Sequence, residues 1–240
     1  MKKASSNAVN RLLAVLPADV RRRFEPGLER VGFELKEVLY GNGKPLSHVY
    51  FPINSVISLL TVMENGDAIE VATVGNEGFV GVPALLGFSE MLGSAQALSQ
   101  IPGESLRMGL EAFREALREE PALNLLLLRY ANTFFLDVAQ STACNRLHSI
   151  DERCCRWLLN THDRVSTDYI PLTQEFLAQM LGVRRASVNA VAGLLQRMGL
   201  IRYSRGRITI LDREGLEKGA CECYSVIRKE FERLLEAPRD

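Results

Sequence analysis

No cysteine occurs in this chain before Cys144. The five cysteines all lie in the second half of the 240 residues, at Cys144, Cys154, Cys155, Cys221 and Cys223. Their odd number, in a chain without a recognisable export signal, argues against a disulfide framework. Cys221 and Cys223 are a possible metal or redox pair, but one intervening residue is not the spacing of zinc knuckles. We interpret the cysteines as buried or semi-buried free thiols.

Histidine is also scarce, and long apolar runs are absent. His48, His148 and His162 are far apart and form no recognisable ligand set, so the sequence predicts no metal and no cofactor. A metal-dependent barrel enzyme would need several such ligands, and no nucleophile–base set is evident, although Cys144 and His148 are four residues apart. We predict that the protein is not an enzyme. Without a signal peptide or a membrane-spanning run, we also predict a cytoplasmic protein.

Acidic residues are missing from one stretch of the chain. Between Gly182 and Arg207 there are six arginines and no Asp or Glu, although the whole chain is balanced at 29 basic and 29 acidic residues. The stretch is therefore a local positive patch of the kind that attracts the phosphates of nucleic acids.

The same region has the pattern of a helix, a tight turn, a second helix and a hairpin. Thr173 is placed to cap the first helix, and Gly182 can adopt the positive φ that ends it. The second helix begins near Arg184 or Arg185 and turns these residues to the core: Val188, Val191 and Leu195. Its opposite face is thin enough for the DNA major groove and consists of Ala186, Asn189, Ala190 and Gly193. Two β-prone runs joined at 204–206 then predict the wing of a winged helix.

Short β-prone runs extend from 33 to about 108. Turn signals recur about every ten residues, which is typical of an antiparallel sandwich or barrel. The sharpest of them, Asn65-Gly66, predicts a two-residue hairpin of type I′. We expect a helical cap within 7–31, before the strands, and a compact turn-and-helix element around 79–86.

Helical periodicity returns at 105–117 and at 121–145. The second helix carries apolar side chains on more than one side, so it needs two partners, the barrel and something else. A second copy of the chain in a two-stranded coiled coil is the economical choice, and a buried helix of a monomer is the alternative. We predict a sensor domain at 1–148, with its dimerisation helix at about 121–148, and a DNA-binding domain with a helical tail at 149–240.

This order of a β-rich domain, a long helix and a winged helix resembles the Crp–Fnr family of bacterial transcription factors. The likeness is strongest in LTQEFLAQMLGVRRASVNAVAGLLQRMGLI, next in HSIDERCCRWLL, and weaker in YFPINSVISLLTVMENGDAIEVATVGNEGFVG. It implies an α+β fold with an N-terminal double-stranded β-helix (jelly roll) of the cyclic-nucleotide-binding kind, a dimerisation helix and a C-terminal winged helix-turn-helix domain. The iron–sulfur centre of the fumarate–nitrate branch is not implied, because its N-terminal cysteines are missing.

The resemblance also assigns roles in DNA binding. Arg185 stands where the family has an arginine that reads guanine, whereas Ala186 and Ala190 replace an acid and a second arginine. Asn189 is then the other candidate base reader, with adenine as its natural partner. The predicted DNA-binding residues are Thr173, Gln174, Arg184, Arg185, Ala186, Ser187, Asn189, Ala190, Arg205 and Arg207.

The family's cyclic-nucleotide pocket uses a Gly-Glu pair for the ribose and an Arg-Ser pair for the phosphate. Here Gly81 is followed by Val82 and Pro83, and Gly93-Ser94 stands in place of Arg-Ser. Because burying a phosphate without a cation is costly, we predict that an effector pocket at these five residues does not bind cyclic AMP or cyclic GMP in the usual way.

Together these patterns predict a homodimeric, sequence-specific DNA-binding transcriptional regulator. Its barrel would receive a signal and pass it through the dimer helix. The implied partners are double-stranded DNA with a palindromic operator, a second copy of the chain, RNA polymerase and an unknown small-molecule effector other than cyclic AMP, without a membrane. The alternative is a protein-interaction module of the same fold that has lost DNA binding.

Overall fold

The computed structural model describes residues 9–41, 44–91, 93–165 and 167–236. It begins with two short helices, α1 (Arg11–Ala14) and α2 (Ala18–Phe24), whose apolar side chains are buried in the core of the β-domain. Asn10 caps α1 and donates hydrogen bonds to the carbonyl oxygens of Pro52 and Gly78, at 2.9 and 2.8 Å. The predicted helical cap is confirmed.

Two antiparallel sheets form the N-terminal domain. The strands are β1 (Glu29–Phe33), β2 (Val38–Tyr40), β3 (His48–Pro52), β4 (Val56–Val62), β5 (Ala68–Val74), β6 (Ala95–Ile101) and β7 (Gly103–Gly109), with the short helix α3 (Val82–Leu85) between β5 and β6. They are ordered β1-β7-β3 in one sheet and β2-β6-β4-β5 in the other. Phe51 and Phe79 stack in the core with ring centroids 5.6 Å apart. This is the predicted antiparallel double-sheet domain.

The hairpin between β4 and β5 differs from the prediction. Gly66 has a φ of 87°, but Asn65 does not have the positive φ that a type I′ turn also requires at its first position. Instead the Gly66 amide donates to the Met63 carbonyl and the Met63 amide donates to the Asp67 carbonyl. The connection is therefore a three-residue loop closed by a glycine in the left-handed region. The side-chain oxygen of Asn65 also accepts a hydrogen bond from the Asp67 amide.

The helix predicted at 105–117 is also partly wrong. Residues 105–109 belong to β7, which pairs with both β1 and β3, and only Leu110–Glu119 form a helix, α4. The apolar residues of β7 have a spacing that fits either structure, and pairing with two neighbouring strands decides the outcome.

The long helix α5 (Pro121–Leu147) ends two residues beyond the helical periodicity at 121–145 and one residue before the end of the helix predicted at about 121–148. One of its faces packs on the barrel through the fully buried Leu123, Leu127 and Tyr130. The opposite face exposes these apolar side chains: Leu125, Leu128, Phe135 and Leu136. No helix among the described residues combines the length and the apolar composition that crossing a bilayer requires.

The C-terminal part begins at Ser149, which caps α6 (Ile150–Arg164) in a capping box with Glu152. It continues through β8 (Tyr169–Pro171), α7 (Gln174–Leu181), α8 (Arg185–Arg197), β9 (Ile201–Ser204), β10 (Arg207–Ile210), α9 (Arg213–Gly219) and α10 (Cys223–Leu235). The tail helix α10 returns to the N-terminal part, where Ile227 and Phe231 join the core that α5 shares with the barrel. The boundary predicted at 149 coincides with this capped break between α5 and α6, and remains a prediction as a division into domains.

The structure brings three of the cysteines close to one histidine, which the sequence did not indicate. Cys144, His148, Cys221 and Cys223 lie with their sulfur and nitrogen atoms within 4.8 Å of one another. Sequence spacing could not reveal this group, because the return of α10 brings together residues more than 70 positions apart. All five cysteines are nevertheless buried free thiols, as interpreted.

Buried polar contacts join the barrel to the C-terminal part. Arg164 of α6 forms an ion pair with Glu77 at 2.7 Å, and both side chains are less than a tenth exposed. The indole of Trp157 donates to Glu70 of β5 at 2.7 Å, and Ser58 donates to the same carboxyl. Burial raises the pKa of Glu70 to about 7. This carboxyl is thus held between the two parts in a dry environment that disfavours its charge.

Replacing Glu70 by glutamine should stabilise the protein at alkaline pH. The folded state holds the proton up to about pH 7, whereas the unfolded state loses it near 4.5. Stability from the neutral carboxyl is therefore present below the unfolded pKa and lost as pH rises through the folded pKa, a difference on the order of 3 kcal/mol. Urea unfolding should show Glu70→Gln about 1–3 kcal/mol more stable than the parent at pH 8, and little different at pH 5.

The exposed Glu64, changed to glutamine, is the matched control and should leave the free energy of unfolding unchanged at both pH values. A Glu70→Gln protein that is no more stable than its parent at pH 8 would contradict this account.

Candidate nucleic-acid interface

The first helix of the predicted motif forms as expected. The hydroxyl oxygen of Thr173 accepts a hydrogen bond from the Phe176 amide at 3.1 Å, which caps α7. Gly182 ends the helix in the left-handed region with a φ of 62°. A Cβ at this position would also lie 2.6 Å from Ile69 of β5, so the turn packs against the barrel. The glycine is required for both its φ and its lack of a side chain.

The second helix, α8, begins at Arg185 with Arg184 as its N-cap residue. Its buried side consists of Val188, Ala192 and Leu195, whereas the predicted core residue Val191 is only half-buried. The opposite side is open to solvent and presents Arg185, Ala186, Asn189 and Ala190, with Ser187 half-buried beside them. The thin face that would enter a major groove is therefore free in this structure.

The wing is a three-stranded sheet rather than the predicted hairpin alone. Its order is β8-β10-β9, and β8 was missed because a strand of three residues has almost no periodic signal. Ser204 ends β9, and Arg205 and Gly206 form the turn with φ values of 51° and 73°. Positive φ at both central residues is the mark of a type I′ turn. This conformation directs Arg205 outward at the tip.

Hydrogen bonds fix the wing against the start of α7. The Leu172 amide donates to the Gly206 carbonyl at 2.8 Å, and the Tyr203 hydroxyl donates to the Leu172 carbonyl at 3.1 Å. The resulting open groove, of about 500 Å³, is lined by Thr173, Gln174, Glu175, Arg185, Tyr203, Ser204, Arg205 and Gly206. Four predicted DNA-binding residues thus share one groove.

The remaining predicted residues lie around this groove and not in its lining. Arg207 stacks its guanidinium over the exposed Tyr169 ring, 5.6 Å from the centroid. Four residues of the groove were absent from the predicted site: Glu175, Tyr203, Ser204 and Gly206. Glu175 follows Thr173 closely enough in the chain for its position to have been foreseen, whereas Tyr203 joins the groove only through the fold of the wing.

All six arginines of the acid-free stretch are exposed. Within the described ranges, none of them forms an ion pair with a carboxylate. Their charges are therefore available to phosphates, and Glu175 is the one acid in the groove lining that opposes them.

Comparisons with known proteins agree with this geometry. The model for the Crp-like helix-turn-helix domain matches residues 152–218, and that for the cyclic nucleotide-binding domain matches residues 30–120. The global nitrogen regulator of Nostoc sp. is 27% identical over 195 residues, which are 78% of this chain and 86% of that protein. The chain belongs to the Crp–Fnr family. It is a DNA-binding transcriptional regulator, and the prediction of a protein that is not an enzyme is confirmed by its family.

Two further relatives extend the match. The transcriptional regulator SdrP of Thermus thermophilus is 26% identical over 200 residues, which are 79% of this chain and 93% of that protein. The crystal structure of a CRP-family transcriptional regulator from Thermus thermophilus superposes with a TM-score of 0.64 at 24% identity, covering 80% of this chain and 96% of that one. The predicted fold class is therefore confirmed.

The N-terminal β-domain of this Crp–Fnr regulator contains an almost wholly apolar cavity of about 210 Å³. Gly81, Val82 and Pro83 line it, together with Phe134 and Val138 of α5. Gly93 and Ser94 are not part of the lining. They form the turn before β6, where the Ser94 carbonyl accepts from the Val62 amide at 3.0 Å, so the sheet holds them outside the cavity. No charged side chain of the described chain lines the cavity.

Arg185 and Arg207 should differ in their effects on DNA binding. If Arg185 reads a guanine, Arg185→Ala should weaken binding to the selected operator by about 1–3 kcal/mol and leave binding to unrelated DNA nearly unchanged. If Arg207 contacts a phosphate, Arg207→Ala should weaken both equally and lower the slope of log affinity against log salt by about one. Fluorescence anisotropy at several salt concentrations measures both effects.

Arg22→Ala removes an exposed charge from α2, away from the groove, and should leave both affinities unchanged. Equal losses on operator and unrelated DNA for Arg185→Ala would contradict base reading by Arg185.

Proposed function

We propose that this regulator acts as a homodimer on a palindromic operator and that an apolar small molecule in its barrel controls the pairing. The observation that carries the proposal is the division of α5 into two apolar faces, one packed on the barrel and the other open. A contact with RNA polymerase remains a prediction from the family resemblance.

The open face of α5 supports dimerisation. Leu125, Leu128, Phe135 and Leu136 lie on one side of the helix, and Phe135 is 69% exposed. Positions 125, 128, 132, 135 and 139 follow the three–four alternation of a coiled-coil seam. Burying each large apolar side chain against a partner contributes about 1.5–3 kcal/mol. A second α5 offers a matching apolar surface of the same length, about 40 Å at 1.5 Å per residue.

In such a dimer each α8 would read one half-site. Arg185 would pair with guanine, Asn189 with adenine, and Ala186 would contact a thymine methyl group. Thr173, Gln174, Arg184, Ser187, Arg205 and Arg207 would contact phosphates, and Ala190 would allow close approach of the helix. The two recognition helices must then lie about one turn of DNA apart, or roughly 34 Å.

The apolar lining of the cavity indicates the chemistry of its ligand. A cyclic nucleotide would bring a phosphate into a cavity whose described lining has no cation to neutralise it. A cavity of about 150 Å³ lined by aliphatic side chains and phenylalanine binds benzene, so a volume of about 210 Å³ accommodates a somewhat larger apolar molecule.

The position of Phe134 and Val138 would couple the cavity to the exposed face of α5. These residues line the cavity from one side of α5, and the exposed Phe135 and Leu136 stand next to them in the chain on the other side. A ligand that moves the first pair changes how the second pair meets the partner helix, and with it the separation of the recognition helices.

The test of this proposal replaces Phe135 by glutamate. A buried charge in the seam should prevent pairing, so Phe135→Glu should sediment as a monomer where the parent sediments as a dimer. In-vitro selection with the parent should yield a palindrome. The monomer should bind that palindrome about 100-fold more weakly, because the second half-site no longer adds to affinity.

Met63→Glu is the matched control, since Met63 is exposed in the β4–β5 loop, away from α5. It should remain a dimer with full operator affinity. A parent protein that is monomeric at micromolar concentration and selects single half-sites would overturn the proposed dimer, without affecting the assignment to the family.

The ligand chemistry has its own test. Toluene should raise the melting temperature of the parent protein, whereas cyclic AMP should produce no heat in calorimetry at micromolar concentration. Ala95 lines the cavity, and Ala95→Phe should fill it and abolish the effect of toluene. Binding of cyclic AMP with micromolar affinity would contradict the proposal.

A further inference from the structure

Four potential metal ligands converge where α5 ends and α10 begins. Cys144 and His148 are separated by one helical turn at the end of α5, and Cys221 and Cys223 stand at the start of the tail helix. The three thiols are buried and His148 is half-buried. The cysteines form a small cluster of their own, separate from both large apolar cores.

The distances fit one tetrahedral ion. The sulfurs of Cys144 and Cys221 are 3.5 Å apart, and the sulfur of Cys223 is 3.6 Å from Nδ1 of His148. A zinc ion with bonds of about 2.3 Å to sulfur and about 2.0–2.1 Å to nitrogen separates two sulfurs by about 3.8 Å, and a sulfur from a nitrogen by about 3.6 Å. All four ligand atoms lie within 4.8 Å of one another, as one ion requires.

The surroundings orient the ligands as in a metal site. Nε2 of His148 lies 3.2 Å from a carboxylate oxygen of Glu222. A hydrogen bond there keeps the proton on Nε2 and leaves the lone pair of Nδ1 free to bind a metal. The side-chain amide of Gln140 donates to the sulfur of Cys223 at 3.1 Å, which supports negative charge on that sulfur.

Nearby positive charge suits a site of this composition. One Zn²⁺, three thiolates and a neutral imidazole carry a net charge of −1. Arg153 and Arg156 of α6 are both largely buried near Cys144, and Nε of Arg156 has no hydrogen-bond partner among the described residues. Binding from neutral thiols releases three protons to solvent and involves no change of oxidation state.

Other uses of these residues fit less well. The sulfurs of Cys144 and Cys221 are 3.5 Å apart, whereas a disulfide bond is about 2.05 Å long. Ligands of softer character, three sulfurs and one imidazole, favour zinc over magnesium or calcium, and four protein ligands leave no open position for catalysis.

We propose that Cys144, His148, Cys221 and Cys223 bind one Zn²⁺ per chain in a closed structural site. The ion ties the start of the tail helix to the end of α5, directly beside the junction at Ser149 where the DNA-binding part begins. It thereby holds the orientation of α6, and of the winged helix that follows, relative to the long helix. This proposal does not depend on the dimer or on the ligand in the barrel.

The first test is the metal content of the full-length protein, purified without added chelator. Elemental analysis by mass spectrometry should find one zinc per chain. Replacement by Co²⁺ should give the thiolate-to-cobalt charge-transfer band and the intense visible bands of a tetrahedral site. Cys221→Ser and Cys223→Ser should retain at least tenfold less zinc than the parent.

Cys155→Ala is the matched control, because Cys155 is a buried thiol of α6 in the other core. It should keep one zinc per chain, and a chelator should lower the melting temperature of this variant and of the parent alike. Glu222→Gln leaves all four ligands in place and should weaken zinc binding by about 10–100-fold.

Two results would overturn the proposal. One is a parent protein that holds well below one zinc per chain and gives no tetrahedral cobalt spectrum when loaded. The other is a Cys144–Cys221 disulfide found by peptide mapping of protein purified without air. Neither measurement on the parent requires a variant to fold.

Discussion

The whole structure depends on the way α5 divides its surface. The barrel takes one apolar face of the helix through Leu123, Leu127 and Tyr130, and Phe231 of the tail packs against the same face with its ring centroid 6.4 Å from that of Tyr130. The opposite face is left with large apolar side chains in water. A large exposed apolar patch of this kind marks an interaction surface, and this is the face that the proposed dimer would bury.

Buried polar contacts hold the DNA-binding part to the barrel. Because water is excluded from this interface, each contact stabilises it only while its hydrogen-bond or ion-pair partner is in place. The charges of Glu77 and Arg164 neutralise each other in their ion pair. No described residue places a positive charge at hydrogen-bonding distance from Glu70, which instead accepts a hydrogen bond from the Trp157 indole. Burial of such groups stabilises one geometry only if every partner stays in place. The interface therefore favours a defined docking of α6 and of the α7–α8 turn over a loose association, and the close approach of Ile69 to Gly182 has the same effect.

The parts of the fold that the sequence predicted well are those set by local chemistry. The Thr173 cap, the Gly182 turn and the thin side of α8 follow from residues within one or two helical turns. The errors have both local and non-local causes. Asn65-Gly66 lies in a three-residue loop in which the Asn65 side chain accepts from the Asp67 amide, whereas β8 is a strand through its pairing with the distant β10. The packing of α10 against α5 depends on the return of the chain after some 80 intervening residues. The same return brings together Cys144, His148, Cys221 and Cys223.

The two proposed binding sites would both act on α5. Val138 lines the apolar cavity, and Cys144 belongs to the proposed metal site six residues later, about 9 Å along the helix. If an effector in the cavity displaced Phe134, a metal ion that fixes the end of α5 to the tail would make the helix pivot about that end. Under these two proposals the exposed face of α5 would change direction, and with it the way in which that face meets a partner helix.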